Sequence, residues 1–363
     1  MGYPGAPELH IDKAIALRNI RAMSARAASA GVSLRPHFKT HHSRAVGEWF
    51  RASGVTSITV SSFEMASYFA EAGWTDILVA FTASPGDVEA IRRLSSRVRL
   101  GILAERPEAA VCIEGLVDSP VDLWLEIDCG SGRTGIPWND TEAISSFVRG
   151  TSGLHRLGFR GILTHAGDSY SVRGPHEVME VHKRTLERMA AARGATLSAG
   201  AAGCLASCGD TPTCSLADSF PGIDEIRPGN FVFYDLMQVL IGSCRIGDVA
   251  ARVSCTVAAV YPDRIVVRCG AVHLSKESVV MLGKPTYGLV VRPGALPEGP
   301  GTYASLFRLS QEHGVASAPP EFAADLRPGE RLEVIPVHSC LTCWQFPVYH
   351  CGKAVLPKMR YGE

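Results

Sequence analysis

The stretch VDLWLEIDCGSGRTG, residues 121–135, is an apolar run, Val121–Asp128, that ends in a polar loop rich in glycine. A short run of β-branched and large apolar residues reads as a strand, and the loop behind it holds the small and polar residues a ligand needs. The pattern recurs along the chain. Strand candidates are Leu34–Lys39, Ser57–Ser61, Asp76–Phe81, Arg97–Leu103, Val121–Asp128, Phe159–His165, Thr196–Cys204 and Glu225–Tyr234. Between them lie stretches such as SRAVGEWFRASG, EMASYFAEAG, GDVEAIRRLSS and EVMEVHKRTLERMAAARG, with apolar residues recurring at three and four and several ending in glycine. Eight such strands alternating with helices predict a (β/α)8 barrel of the TIM type over residues 11–245.

After about residue 246, alternation replaces helical periodicity. ARVSCTVAAVYPDRIVVRCGAVHLS is two β-runs around a Pro-Asp turn, and ERLEVIPVHSC is another. Residues 246–363, with roughly residues 1–10, are therefore expected to form a second, mostly β domain.

Lys plus Arg equals Asp plus Glu, 36 each, with no basic run, so nothing favours nucleic acid or an anionic membrane surface as partner. No uncharged apolar stretch is long enough to span a bilayer, and the N-terminus lacks a charged-then-apolar leader. The eleven cysteines are scattered without regular spacing, as in a reducing compartment, and a cytoplasmic location is expected.

In a barrel of this kind chemistry gathers where the strands end, which directs attention to HFKT, EIDCGSGRTG, THAGDSY, ASCGDTPT and RPGNFVFYD. Lys39 closes the first strand; a partly desolvated amine can act as a base or form a Schiff base, although a lysine at a strand end is more often just exposed. SCGDTPT (207–213) and RPGNF (227–231) offer backbone N–H groups and hydroxyls suited to a phosphate, on the last two predicted strands. Arg133 follows the fifth strand and suits either a carboxylate or a surface ion pair. His165 and Tyr170 end the sixth, where the plain alternative is a packed histidine. His338 and Cys340, read as i and i+2 on a strand, point to one face and can share an ion such as zinc with positions left open. A redox Cys340–Cys343 pair, a closed structural zinc with His350 and Cys351, and apolar strand filling are the alternatives. Spacing alone favours the last.

The order of RPHFKTH, EIDCGSGRTG, THAGDSY, CGDTPT, EIRPGNFVFYD, SQEHG and VHSC resembles the D-serine dehydratase and D-threonine aldolase family, fold-type III pyridoxal-phosphate enzymes related to alanine racemase. The likeness runs from about residue 10 to 350. It implies that Lys39 is the Schiff-base lysine, that Ser207, Gly209, Thr211, Gly229 and Asn230 hold the cofactor phosphate, and that His165, Tyr170 and Arg133 line the cofactor. His338 and Cys340 match the family's metal pair. Zinc is the expected ion, with manganese or magnesium if the reaction is an aldol cleavage. The implied activity is a lyase acting on small β-hydroxy-D-amino acids, dehydrating them to a 2-keto acid and ammonia, with retro-aldol cleavage and racemisation as alternatives. The His-x-Cys form of the pair points to dehydration. A homodimer is implied as well. The run Thr342-Cys343-Trp344-Gln345 is bulkier and less acidic than the family pattern, which opens the site to a larger β-substituent than that of serine.

Overall fold

The computed structural model describes residues 5–360, so the parts of the expected β domain in residues 1–4 and 361–363 lie outside the described residues. The chain divides into two compact units. One holds Arg21–Lys39 and Gly47–Gly229; the other holds the residues up to Ile20, Thr40–Val46 and Asn230–Arg360.

The first unit is built on eight parallel strands: Ser33–Leu34, Ile58–Val60, Asp76–Thr82, Arg99–Leu103, Val121–Asp128, Leu157–Thr164, Leu205–Cys208 and Glu225–Ile226. From Ile58–Val60 onward they pair in chain order, Ser33–Leu34 lies against Glu225–Ile226, and a parallel bridge between His37 and Thr59 closes the ring. This is the expected (β/α)8 barrel. Leu78, Leu103, Trp124 and Leu163 pack together in one buried cluster. Each buried leucine contributes about 1.5–3 kcal/mol relative to an exposed one.

Several strand ends differ from the expectation. The seventh strand is Leu205–Cys208 and not Thr196–Cys204, because the alanine-rich helix Pro175–Ser198 runs on through Thr196, and Gly200 and Gly203, both at positive φ, make the turn before the strand. The first strand stops at Leu34, since Pro36 has no N–H for a ladder, and Lys39 stands on a separate one-turn helix, Phe38–Thr40. The last strand likewise stops at Ile226, ahead of Pro228, and Asn230–Val232 forms another single turn.

In the second unit Ala251–Val260 pairs with Arg331–Pro336 and, at its far end, with Arg264–Val267. The ring continues through Gly314–Ser317, Tyr303–Leu309 and Gly288–Val291 back to Arg331–Pro336, an antiparallel closed sheet. A bulge between Val257 and Ala259 bends the shared strand as it changes partners. Glu8–Ile11, Val348–Cys351 and Ala354–Pro357 extend the sheet from Ala251–Val260. Strand Arg331–Pro336 ends at its proline, and the chain turns into a short helix, Ser339–Gln345. His338 and Cys340 are thus not on a strand: His338 is the residue that opens this helix and Cys340 lies in its first turn.

Candidate active site

In the barrel unit the turn carrying Lys39 is fixed by Phe38, a fully buried ring 5.0, 4.9 and 5.1 Å from those of Phe50, Phe69 and Trp74. Main-chain bonds from Arg35 N–H to Ile226 O and from His37 N–H to Pro228 O hold the approach to it, although it is too irregular to count as strand. Lys39 is exposed on this anchored turn.

His165 Nδ1 lies 2.7 Å from Gly209 O. A carbonyl only accepts, so Nδ1 donates and Nε2 keeps its lone pair. Burial above all, with the positive charges of Lys39, Arg133 and Arg227, pushes the imidazole down to about 3 against the opposing pull of the Gly209 bond. The ring is neutral at any working pH. Tyr170 stands beside it, ring centres 6.0 Å apart, and its hydroxyl accepts the Thr211 N–H at 3.2 Å. Arg133 is half exposed, 3.6 Å from Glu126.

The two glycine loops lie side by side. Arg227 N–H donates to Cys208 O, and a Cβ on Gly209 would stand 2.5 Å from Arg227 N, so only glycine lets the two backbones approach this closely. Gly229 is buried in the second loop. Asp210 caps the helix Thr211–Leu216 through Thr213 N–H and Thr213 Oγ1 and also accepts from Ser169 Oγ; burial nonetheless lifts its pKa to about 6. The Thr211 hydroxyl is buried and has no hydrogen-bond partner among the described residues. Ser207 is different: its hydroxyl donates to Glu225 and accepts from Arg227 Nε, both at 2.8 Å. Arg35 bonds the other Glu225 oxygen, and Arg227 Nη2 bonds Thr164 O. The Ser207 hydroxyl is therefore committed to a buried ionic chain, whereas the Thr211 hydroxyl is not.

Pyridoxal phosphate fits these residues. Lys39 supplies an amine, the orphaned Thr211 hydroxyl and the close-packed Gly209 backbone suit a phosphate, and the neutral His165 offers an aromatic wall without added charge.

The β unit gathers a second set. His338 Nδ1 is 2.8 Å from Glu277 Oε2, and the His338 and Cys340 side chains are hydrogen-bonded to each other. Burial opposes charge on the His338 ring, but Cys340, Glu277 and Asp235 outweigh it and raise its pKa to about 11. Cys340 Sγ lies 3.2 Å from Thr40 Oγ1 and 3.6 Å from Asn230 Nδ2. The Asn230 side chain, expected at the phosphate, makes its contacts here. The single turn it opens carries the chain into the β unit, where Nδ2 also donates to Asp235 Oδ2 (2.6 Å) and Ser339 Oγ (3.1 Å).

Asp235, fully buried, holds two helices at once. Its Oδ1 accepts from Gln238 N–H and caps Leu236–Ile241, while Oδ2 accepts from the N–H and hydroxyl of Ser339, the residue between His338 and Cys340. Of the bulky run after the pair, Thr342 and Cys343 are fully buried, whereas Trp344 is 42% exposed and its ring meets that of His42 at 4.9 Å.

Among the described residues no group of three or more His, Cys, Asp or Glu side chains is arranged to hold an ion. The pair nevertheless fits one. A carboxylate on Nδ1 orients the ring, the usual support of a metal-binding histidine whose Nε2 proton an incoming cation displaces, and an imidazole with a thiolate suits a borderline-soft cation with open positions.

Sequence reasoning missed Thr40, Asp235, Glu277 and the Arg227–Ser207–Glu225 chain. Asp235 had a signal, a capping residue ahead of the apolar LMQVLI. Glu277, 61 residues from its partner, had none.

Residues 11–236 match the alanine racemase N-terminal domain, and residues 250–352 match a domain described as a "putative serine dehydratase domain". The chain is 33% identical over 348 residues to a D-threo-3-hydroxyaspartate dehydratase of Delftia sp. (strain HT23), covering 92% of this chain and 90% of that protein. It is 28% identical to a D-serine dehydratase of Dictyostelium discoideum, covering 92% and 89%. A solved structure of a cysteine-to-alanine variant of D-threo-3-hydroxyaspartate dehydratase in the metal-free form superposes with a TM-score of 0.89 at 30% identity, covering 98% of this chain and 97% of that one. No helix among the described residues is long and apolar enough to cross a membrane.

Proposed function

Because this chain belongs to the family of the alanine racemase N-terminal domain, here joined to a serine-dehydratase-type domain, we propose that it is a lyase that dehydrates β-hydroxy-D-amino acids to a 2-keto acid and ammonia. The observation that carries the reading is the Glu277–His338 hydrogen bond with Cys340 alongside, a supported imidazole–sulfur pair in a chain whose barrel unit displays Lys39 on an anchored turn.

When bound, pyridoxal phosphate supplies an electron sink for charge left at Cα, and a divalent cation, which we assign as zinc, supplies a Lewis acid for the departing hydroxyl. Lys39 Nζ is the amine that would tether the cofactor and would serve as the base for the Cα proton. His165, with its Nδ1 proton committed to Gly209 O, stays uncharged and adds no competing proton source. Gly209, Thr211 and Gly229 hold the phosphate, Tyr170 supports Thr211, and Arg133 serves the cofactor or substrate side. His338 Nε2 and Cys340 Sγ hold the cation, and Thr40 Oγ1 steadies the sulfur. Trp344 offers an apolar surface one helical turn beyond Cys340, which favours substrates bulkier than serine.

A homodimer in the cytoplasm completes the reading, and the eleven cysteines, none of them in a disulfide, support a reducing compartment. The deciding assay gives the enzyme D-serine, D-threo-3-hydroxyaspartate, D-threonine and bulkier β-hydroxy-D-amino acids and identifies the products. Keto acid with ammonia, abolished by a chelator, supports dehydration. Glycine with an aldehyde identifies retro-aldol cleavage instead, and inversion at Cα that survives the chelator identifies a racemase.

A further inference from the structure

We propose that Lys358 is a positioning residue for the metal-ligand pair, fixing the far end of the helix whose first turn carries Cys340. The inference rests on reading His338 and Cys340 as the cation's ligands. Helix Ser339–Gln345 has seven residues, too few to persist without outside support. Asp235 and Asn230 hold its first turn. At its other end the last carbonyls have no partners within the helix. Lys358, 8% exposed, donates from Nζ to Cys343 O and to Phe346 O at 2.6 Å, with Nζ also 5.2 Å from the centre of the Tyr349 ring. A buried ammonium is tolerated only where such acceptors meet it, so the contact is specific to this helix end.

The same short segment has a second hold. Met359 N–H donates to His42 O at 2.7 Å, and Pro357 O accepts from Ser43 Oγ at 2.9 Å. Residues 357–359 therefore strap the stretch Thr40–Val46 to the helix that carries Cys340, and Thr40 Oγ1 is the hydroxyl that meets the Cys340 sulfur. Both sides of that contact hang on one strap. Loss of the Nζ bonds frees the helix end and lets the sulfur move relative to His338, which weakens cation binding while the barrel residues keep their places.

The test uses full-length enzyme loaded with pyridoxal phosphate and cobalt(II), read by the sulfur-to-cobalt charge-transfer band and by competition against a chelator. Lys358→Met should bind cobalt about 10- to 100-fold more weakly, with a reduced band and unchanged cofactor absorbance above roughly 400 nm. Excess metal should restore turnover. Lys358→Arg, which still reaches both carbonyls as a donor, should recover most of the affinity. Cobalt affinity and band equal to wild type in Lys358→Met, whatever its melting temperature, would overturn the role, as would an arginine variant no better than the methionine one. If Lys358→Met does not fold, Lys358→Gln takes its place with a smaller expected loss, and unchanged affinity there overturns the role equally. A wild-type protein lacking the band removes the metal reading and this role together, whereas a band indifferent to Lys358 removes only the role.

Discussion

Replacing Asp235 by asparagine keeps the shape of the side chain and takes away one acceptor that the surrounding donors share. Oδ2 accepts from Asn230 Nδ2, Ser339 N–H and Ser339 Oγ, and Oδ1 from Gln238 N–H. An amide has one oxygen, and it satisfies most donors by facing Ser339. Its NH2 then opposes Gln238 N–H, which costs the helix cap about 1 kcal/mol and leaves a buried donor unmet at about 1–3 kcal/mol. The remaining bonds lose their charge assistance, which roughly halves them. Relief of a buried charge offsets part of this, since burial already pushes the Asp235 carboxyl above the usual carboxylate range. The net is about 2–4 kcal/mol, a large part of ordinary stability, and for a chain this long a melting shift of roughly 3–5 °C. Ser339 lies between the two proposed ligands, so cation affinity should fall about 10- to 100-fold as well. Calorimetry and chelator competition on the same preparation check both. A variant that melts lower yet binds the cation as wild type does would refute the claim that this carboxylate positions the ligands.

Thr211→Val removes a buried hydroxyl with no partner among the described residues, so the cofactor-free protein should be as stable or up to about 1 kcal/mol more stable, while pyridoxal phosphate binds roughly tenfold more weakly. Equal cofactor affinity in a fluorescence titration would count against the phosphate assignment. His165 gives a pH signature. Its folded pKa, about 3, is depressed from the ordinary 6.5, so the stability it contributes is present above 6.5 and lost as pH falls towards 3, the unfolded chain binding the extra proton in that window. Urea unfolding of cofactor-free protein at a series of pH values should show a shallower acid decline for His165→Gln than for wild type, and identical slopes would dismiss the buried neutral ring.

The barrel was legible because each of its strands is a local event: an apolar run, a polar loop, a helical repeat. Val121–Asp128 needed nothing beyond its own residues, and neither did the loop that carries Gly209. Where local signals conflicted, the reading slipped. AAARGATLS in the chain after Met189 has the composition of a helix and continues as one, against an expected strand at Thr196. Pro36 and Pro228 cut short two strands whose apolar patterns run on past them.

The metal pair shows the opposite case, because its surroundings are assembled from across the chain. Thr40 meets Cys340 over 300 positions, Asp235 meets Ser339 over 104, and Glu277 meets His338 over 61. No spacing rule reaches such distances, so spacing alone left apolar strand filling ahead of the proposed ligand pair, and nothing local showed that the Asn230 side chain, next to Gly229 in the chain, meets the sulfur. The physical consequence follows from how each set is held. The proposed phosphate loops are braced by neighbouring strands through backbone bonds, whereas the helix with Cys340 depends on a buried carboxylate at one end and a buried lysine at the other. Side-chain bonds of this kind are lost one substitution at a time, and backbone ladders are not. Substitutions in the β unit should therefore loosen the proposed cation pair before substitutions in the barrel loosen the proposed phosphate loops, a difference that chelator competition and cofactor titration on matched variants would show.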